Sequence, residues 1–185
     1  MIINTTNGFN MIEVNSRPDC QDFSGLYDRL QGTHLVNPSK SDVKKLLITH
    51  PERPLVLSGH GDDNGLYNHL WNGYLISSKD VELLRKQQVI VGVWCYAGNF
   101  ADRYGLKGFF TSMFISTENE AAELGFTATQ EDISKESRLF ANRLNNCIRE
   151  QPCISEWENI LRDKADITKG FVGYNYEALA YFDGE

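Results

Sequence analysis

Residues 89–100, VIVGVWCYAGNF, contain a run of apolar residues that ends at Cys95 and is followed at once by small and polar residues. A short apolar run closed by turn-forming residues is typical of a strand buried in a parallel sheet. We therefore predict a strand over Val89 to Trp94, with Cys95 directly after its carboxyl end.

A second run of the same kind lies in PLVLSGHG, residues 54–61. It predicts a buried strand from Leu55 to Ser58 and places His60 just past the strand end, between two glycines. Sequential parallel strands are often neighbours, and ligands bind such sheets at the carboxyl ends of the strands. We therefore expect His60 and Cys95 to meet at one edge of the sheet.

Strand and helix patterns alternate through the rest of the chain. Further strands are predicted near Met11 to Val14, over residues 108–116 and over the alternating residues 171–182. Helices are predicted from about Phe23 to Leu30 ending at Gly32, after Ser41 as far as Pro51, from Ser78 to about Lys86, in a short segment closed by Gly105, and after the caps Thr117, Thr129 and Ser155. The Asn72-Gly73 pair predicts a hairpin with a type I′ turn.

This order of elements predicts an α/β fold. Strands that alternate with helices form a mainly parallel central sheet covered on both faces, which gives a three-layer α/β/α architecture. A chain of 185 residues with 41% hydrophobic content suits one compact domain, which we expect to span residues 1–185.

Composition and charge exclude several classes of protein. The net charge of -7 argues against a nucleic-acid binder, whose footprint is a basic patch or stripe. No apolar run approaches the roughly 20 residues of a membrane-spanning helix, and the amino-terminal residues do not resemble a secretory signal. The sequence therefore predicts a cytoplasmic protein that binds neither membrane nor nucleic acid.

The four cysteines and four histidines form no recognisable metal site or disulfide framework. There is no CxxC pair, and His34, His50 and His69 show no metal-ligand spacing, so no metal is expected. Cys147 and Cys153 are close enough in sequence to pair across Pro152. Cys147 also fits the apolar face of a helix, and we favour a core cysteine there.

A thiol and an imidazole at one sheet edge are suited to nucleophilic catalysis. The thiolate is the nucleophile, and a neighbouring imidazole can accept the thiol proton and later protonate a leaving amine. The glycines beside His60 leave room for a substrate carbonyl to reach backbone N–H groups, which stabilise an oxyanion. Without the histidine motif, Cys95 would be read as a core cysteine that ends a strand, and the alternative for His60 is a turn residue whose ring bonds a backbone carbonyl.

These residues also carry a family resemblance. VLSGHG followed by VIVGVWCYAG, and then FISTENEAAE, resembles the caspase-fold cysteine peptidases (clan CD), which include caspases, metacaspases, clostripain, gingipain, separase and CHAT peptidases. In that clan one strand ends in His-Gly and the next core strand ends in the nucleophilic Cys, with a glycine shortly after. Gly98 supplies that glycine here.

The resemblance implies a caspase-like thiol protease, a hydrolase acting in proteolysis without a cofactor. It would be a cysteine endopeptidase that forms a thioacyl intermediate on Cys95, with His60 as its partner and the N–H groups of Gly61 and Cys95 as oxyanion donors. Its expected partners are a protein or peptide substrate and, from the habits of the family, a regulatory protein.

The sequence also departs from this family. Many members specific for basic residues carry Asp two positions before the nucleophile, where this chain has Val93, and the residue after the nucleophile is Tyr96 rather than the frequent His. Asp62 and Glu118, or their neighbours Asp63 and Glu120, are candidates to supply charge to a substrate pocket. The departures leave open a catalytically inactive caspase-like interaction module. Other cysteine hydrolases usually place their histidine after the cysteine, and no histidine follows Cys95.

Overall fold

A computed structural model describes residues 1–15, 23–151 and 153–184 of the chain. Its central sheet has six strands. In chain order these are β1 (Phe9–Glu13), β2 (Gly32–Val36), β3 (Leu55–Ser58), β7 (Ile90–Val93), β8 (Lys107–Thr111) and β9 (Leu179–Asp183). A smaller antiparallel sheet lies between β3 and β7 in the sequence and consists of β4 (Gly61–Asp62), β5 (Gly65–Tyr67) and β6 (Tyr74–Ser77).

In the part of the chain that the structure describes, seven α-helices connect or follow these strands. They are α1 (Lys40–Thr49), α2 (Val81–Leu84), α3 (Ala97–Arg103), α4 (Glu118–Glu123), α5 (Gln130–Glu150), α6 (Trp157–Asp163) and α7 (Gly170–Glu177). Short 3-10 turns cover Ser24–Tyr27, Ser78–Asp80 and Ile154–Glu156. Among the helices of the described residues, none combines the length and the apolar character needed to cross a membrane.

The large sheet has the strand order β2-β1-β3-β7-β8-β9. All neighbouring pairs are parallel except β8 and β9, which are antiparallel. Alternate residues of the strands enter two separate apolar cores. Val56, Val91 and Phe109 join the core that includes α5, α6 and α7, whereas Leu57 and Ile90 join the core that includes α1, α2 and α3. The predicted α/β class with a mainly parallel sheet is confirmed, and helices flank this sheet.

The strands that flank the predicted site were predicted almost to the residue. The predicted strand Leu55 to Ser58 is β3, and β7 covers Ile90–Val93 within the predicted Val89 to Trp94. Both strands are completely buried along their length. Continuous apolar runs are therefore a dependable signal for these two elements.

Two helix caps are confirmed and two are corrected. Thr117 and Thr129 accept hydrogen bonds from the backbone N–H groups three residues on, at the starts of α4 and α5. The cap of α1 is Ser39 rather than Ser41, because Ser39 and Asp42 form a reciprocal capping box. Ser155 lies inside a 3-10 turn before α6 and does not cap that helix.

Other predictions at the two ends of the chain were wrong. Gly32 does not end a helix; it begins β2, and the predicted helix from Phe23 to Leu30 is only the 3-10 turn Ser24–Tyr27. The predicted strand over residues 171–182 is α7 followed by β9. In α7 the buried side chains recur at helical spacing, which competes with the alternating pattern.

Elements near the site were shorter than predicted or differently shaped. The hairpin is present as β5 and β6, but residues 68–73 connect the strands and Asn72 lacks the positive φ that a type I′ turn requires. The strand predicted over residues 108–116 ends at Thr111. The helix predicted from Ser78 to Lys86 is a 3-10 turn followed by the single turn of α2.

Candidate active site

His60 and Cys95 follow the ends of two neighbouring parallel strands, β3 and β7. Ser58 pairs with Val93 at the ends of β3 and β7, and the Gly59 N–H donates to the Val93 carbonyl at 3.1 Å. His60 and Cys95 each follow two residues after this last pair. Neighbouring strands lie about 4.8 Å apart where they pair, so the segments that carry His60 and Cys95 leave the carboxyl edge of the sheet from adjacent strands.

The Cys95 thiol is largely enclosed by the protein. Its Sγ donates a hydrogen bond of 3.6 Å to the Phe114 carbonyl and packs against the core that contains Val93. Burial raises the pKa of Cys95 to about 11, and the negative charge of Glu120 acts in the same direction. Cys95 is therefore a neutral thiol at neutral pH, and it needs a base before it can attack a substrate.

The backbone around Cys95 forms a tight turn. The Ala97 N–H donates to the Trp94 carbonyl at 3.2 Å, and Tyr96 adopts a left-handed conformation with φ of 64°. Non-glycine residues in this region are uncommon and cluster at functional sites. The turn follows the end of β7 at Val93 and leads directly into α3, which begins at Ala97.

The Thr111 side chain binds the main chain of Trp94, the residue before Cys95. Its buried hydroxyl accepts from the Trp94 N–H at 3.1 Å and donates to the Trp94 carbonyl at 2.8 Å. These two bonds join the chain after β7 to the end of β8, beyond the last register pair of Gly92 with Phe110. The sequence offered no signal for this role, because a threonine at a strand end is common and its partner lies 17 residues away.

The other side of the site is built by aromatic side chains of the small sheet. The His60 ring lies 4.9 Å from the Trp71 ring, measured between centroids. Trp71 stacks on Tyr67 at 5.4 Å, and Tyr67 stacks on Tyr74 at 5.1 Å. This row of rings extends from His60 along the hairpin, and Trp71 remains 44% exposed at its outer part.

Trp94 joins the small sheet to the large one. Its indole Nε1 donates to the Asp62 carbonyl at 3.2 Å. A Cβ atom placed on Gly61 would overlap both the Gly65 carbonyl oxygen and the Trp94 ring, so the glycine allows this close packing. Because Gly61 directly follows His60, the indole also fixes the path of the chain beside the histidine.

The N–H of Gly61 points away from its neighbouring strand. The Tyr67 N–H donates to the His60 carbonyl at 2.8 Å, and Gly61 faces Leu66 in the β4 and β5 register. Hydrogen-bonded and non-bonded pairs alternate along an antiparallel ladder. His60 and Tyr67 form a bonded pair, so Gly61 and Leu66 form a non-bonded pair, and the Gly61 N–H is directed to the outer edge of β4. This orientation suits an oxyanion donor, the role that the resemblance assigns to Gly61.

Hydrogen bonds of the Tyr27 hydroxyl hold the end of β3 at Ser58. The Tyr27 hydroxyl donates to the Ile12 carbonyl at 2.9 Å and lies 2.7 Å from the Ser58 hydroxyl. Burial of Tyr27 raises its pKa far above the ordinary value. The phenol therefore stays neutral and links the ends of β1 and β3 next to His60.

All four acidic candidates for a substrate pocket have partners inside the chain. Asp62 Oδ2 accepts from the hydroxyls of Tyr67 and Tyr74 at 2.7 and 2.8 Å. Partial burial alone would raise its pKa, but these hydrogen bonds and others from Asn64 bring the pKa of Asp62 below its ordinary value. The other three make the following contacts: Asp63 with Arg103, Glu118 with the Gln130 N–H, and Glu120 with Ser116 and Thr117.

These contacts give the acidic residues roles in structure. Glu118 binds the first N–H of α5, and Glu120 completes the capping box of α4. Asp62 holds the aromatic row together. A substrate-binding role for Asp62 or Glu118 stays a prediction, and each carboxylate would have to keep or exchange its present partners to perform it.

The positions that depart from the family have distinct surroundings. Val93 is buried within the core and occupies the last paired position of β7, so it presents no group to the sheet edge. Tyr96 is 39% exposed. Gly98 lies inside α3, and a Cβ there would come no closer than 3.6 Å to another group, so neither its packing nor its backbone requires glycine.

Cys95, Cys147 and Cys153 are all free thiols. Cys147 is buried in the core, as favoured from the sequence, and burial raises its pKa to about 11. Cys20 and Pro152 lie outside the described residues. In the part of the chain that the structure describes, no group of three or more His, Cys, Asp or Glu side chains could hold a metal ion.

No model of a protein family matches the chain, and no curated protein matches it.

Proposed function

We propose that this chain is a cysteine endopeptidase with a caspase-like, single-domain architecture, in which Cys95 and His60 hydrolyse peptide bonds. The observation that carries the proposal is the register of β3 and β7, in which Ser58 pairs with Val93 and His60 and Cys95 each follow two residues later. The same order, a strand ending in His-Gly beside a strand ending in Cys, is the pattern on which the family resemblance rests.

The reaction starts from the neutral thiol. His60 removes the Cys95 proton as the substrate carbonyl arrives, and the sulfur attacks the carbonyl carbon. The N–H groups of Gly61 and Cys95 stabilise the oxyanion. His60 then protonates the leaving amine, and the carbon–nitrogen bond breaks to give a thioester on Cys95. Water, deprotonated by His60, attacks this thioester, and the carboxylate product leaves while Cys95 regains its proton.

The surroundings of His60 favour an extended peptide or protein segment as substrate. The rim beside it carries the exposed part of Trp71 and the 65% exposed Leu70, which provide apolar surface for substrate side chains. The acidic residues nearby are engaged with tyrosine, arginine and backbone partners, so the proposal includes no dedicated pocket for a basic side chain. No cofactor enters the reaction, and we place the protein in the cytoplasm.

Cleavage of a diverse peptide library, followed by mass spectrometry, tests this function. Cys95→Ala and His60→Ala should each reduce cleavage by at least about a thousandfold, because residues that act as a unit fail together. Cys153→Ala is the matched control, since it removes a half-buried thiol away from the site, and it should cleave like the unmodified chain. Peptide cleavage that survives Cys95→Ala would reject the proposal.

A second candidate, a catalytically inactive interaction module of the same fold, is favoured by one observation. The Cys95 thiol is enclosed, bonded to the Phe114 carbonyl and held neutral by its raised pKa. Reaction rates with iodoacetamide and with peptidyl fluoromethyl ketones separate the two candidates. A peptidase should react slowly with iodoacetamide and much faster with a peptidyl ketone that brings its own carbonyl to the site. Equally slow reaction with both reagents, together with no library cleavage, would favour the module.

A further inference from the structure

The segment between β8 and α4 carries the carbonyl that binds the Cys95 thiol. Residues 112–117 form no regular secondary structure, yet Phe114, Ile115 and Ser116 are each at most 2% exposed. A buried backbone outside strands and helices must find its hydrogen-bond partners elsewhere. The partners of this segment therefore determine where the Phe114 carbonyl lies.

One peptide unit of this segment bonds in two directions. Its oxygen, the Phe114 carbonyl, accepts from Cys95 Sγ at 3.6 Å, and its nitrogen, the Ile115 N–H, donates to Asn175 Oδ1 at 2.8 Å. In a planar trans peptide unit the carbonyl and the N–H point in opposite directions. A side chain that fixes the N–H therefore also fixes the carbonyl that the thiol contacts.

Asn175 is a polar side chain in an apolar place. It lies in α7 with the buried residues Phe171, Val172 and Tyr176, and it is itself only 1% exposed. Asparagine is a poor helix former, and burial of its amide costs free energy unless the amide is hydrogen-bonded. The bond to the Ile115 N–H accounts for an asparagine at this position.

The residues on either side of this peptide unit are held by other contacts. The Ser112 N–H donates to the Ala178 carbonyl at 2.7 Å. The Ser116 N–H and hydroxyl donate to Glu120 Oε2 at 2.8 and 2.7 Å. Loss of the Asn175 amide should therefore free one peptide unit to rotate without releasing the whole segment.

We propose that Asn175 is a positioning residue for Cys95 and acts through the peptide unit between Phe114 and Ile115. By holding this unit, Asn175 keeps the carbonyl against Cys95 Sγ and so sets the direction of the thiol. In catalysis this role rests on the peptidase function proposed above, because the direction of the thiol determines how well the sulfur attacks a substrate carbonyl. The hydrogen bonds themselves do not depend on that function.

The S–H stretching vibration of Cys95 tests this role without any substrate. Infrared spectra of the unmodified chain and of Cys95→Ala identify the band of this thiol, and a hydrogen bond to a carbonyl lowers the wavenumber of that band. Asn175→Leu keeps a similar size but removes the acceptor. The band should then move to higher wavenumber, and exchange of the Ile115 amide should become faster. Asn175→Asp keeps an acceptor oxygen and should leave the band near its original position.

Asn145→Leu is the matched control. Asn145 is another buried asparagine, 4% exposed in α5, and its Nδ2 donates to the carbonyls of Leu26 and Asp28. Its loss should destabilise the protein without moving the Cys95 band. An unchanged band in Asn175→Leu, or equal shifts in Asn175→Leu and Asn145→Leu, would overturn the proposal. Fast exchange of the Ile115 amide in the unmodified chain would do so even if Asn175→Leu fails to fold.

Peptide cleavage separates the role of Asn175 from the proposed function. Asn175→Leu should lower kcat and kcat/KM about tenfold or more, because a misdirected nucleophile is less effective in the transition state, whereas Asn145→Leu should not. If the unmodified chain cleaves no peptide, the proposed function fails, and the infrared band alone decides whether Asn175 positions the thiol. A shifted band with unchanged cleavage would overturn the role of Asn175 in catalysis.

Discussion

The indole Nε1 of Trp94 donates a hydrogen bond to the carbonyl of Asp62, 32 residues earlier in the chain, at 3.2 Å. This bond crosses from the residue before Cys95 to the strand that follows His60. It links the segment that carries Cys95 to the segment that carries His60 without involving either of these side chains. Trp94 is therefore a positioning residue, and its substitution should affect the path of the chain at Gly61.

Trp94→Phe should reduce the free energy of unfolding by about 1 kcal/mol for the lost hydrogen bond, with a further loss for the smaller ring. Amide exchange over residues 59–63 should become faster, and peptide hydrolysis should fall. Trp157→Phe is the matched control, because its buried indole donates to the Gln151 carbonyl at 2.8 Å on the other face of the sheet. Urea unfolding and exchange measurements compare the two variants. Equal changes in exchange at residues 59–63 would show that Trp94 has no special role there.

Gly61→Ala should destabilise the protein by roughly 2 kcal/mol, because the added methyl group overlaps the Gly65 carbonyl oxygen and the Trp94 ring. Gly98→Ala adds the same methyl group inside α3, where the nearest atom is 3.6 Å away. That change should stabilise the helix by up to about 1 kcal/mol. Urea unfolding of the two variants gives both values. A stable Gly61→Ala protein would contradict the close packing described for this turn.

Thr111→Val should cost about 1–3 kcal/mol, because the buried Trp94 N–H loses its partner, whereas the Trp94 carbonyl keeps the bond from the Ala97 N–H. Valine keeps the size and branching of threonine but has no hydroxyl to bond the Trp94 N–H and C=O. Thr111→Ser keeps the hydroxyl and should retain most of the stability. Thermal unfolding measures both. A larger loss in the serine variant would mean that the methyl group, and not the hydroxyl, stabilises the end of β7.

Stability should fall in alkaline solution because of Cys95. Burial raises the pKa of this thiol in the folded chain from its ordinary value of 9.0 to about 11. Between these values the unfolded chain has lost the proton and the folded chain keeps it, so the free energy of unfolding falls as pH rises from about 9 to 11. The stabilisation is fully present below pH 9. Its size is at most about 3 kcal/mol.

Comparison of the unmodified chain with Cys95→Ala isolates this effect. The difference in unfolding free energy between the two proteins should decrease as pH rises through this window. Cys147 has a similarly raised pKa, so Cys147→Ala should also flatten the dependence and serves as an independent check. A difference that stays constant from pH 8 to 11 would mean that the folded chain releases the Cys95 proton as easily as the unfolded chain.

The sequence was most informative where burial is continuous. The apolar runs of β3 and β7 fix two strands, and the residues just after them, His60 and Cys95, follow without further assumption. The edge strand β2 could not be recognised in the same way, since it is half exposed and begins with a glycine that resembles a helix end. α7 was mistaken for a strand because Val172, Tyr174 and Tyr176 occupy alternate positions in the sequence.

The supporting residues of the site lay beyond sequence reasoning for a different reason. The contacts of Thr111 with Trp94, and of Trp94 with Asp62, join elements whose neighbourhood depends on the strand order. Asp62 illustrates the limit most clearly. Its position in a loop after His60 suggested that it binds substrate. In the structure its carboxylate accepts hydrogen bonds from Tyr67 and Tyr74, and no local sequence pattern predicts these contacts.

The direction of β9 determines on which side of the sheet a second molecule could be joined to the chain after this strand. β1 starts at the amino edge of the parallel strands, and β9, running opposite to β8, returns the chain to that same edge at Asp183. The chain thus enters β1 and exits β9 at the edge of the sheet opposite to Cys95. A tether, a surface or a fused protein joined at either strand would therefore leave the carboxyl edge of the parallel strands, where β3 and β7 end, on the side away from the attachment.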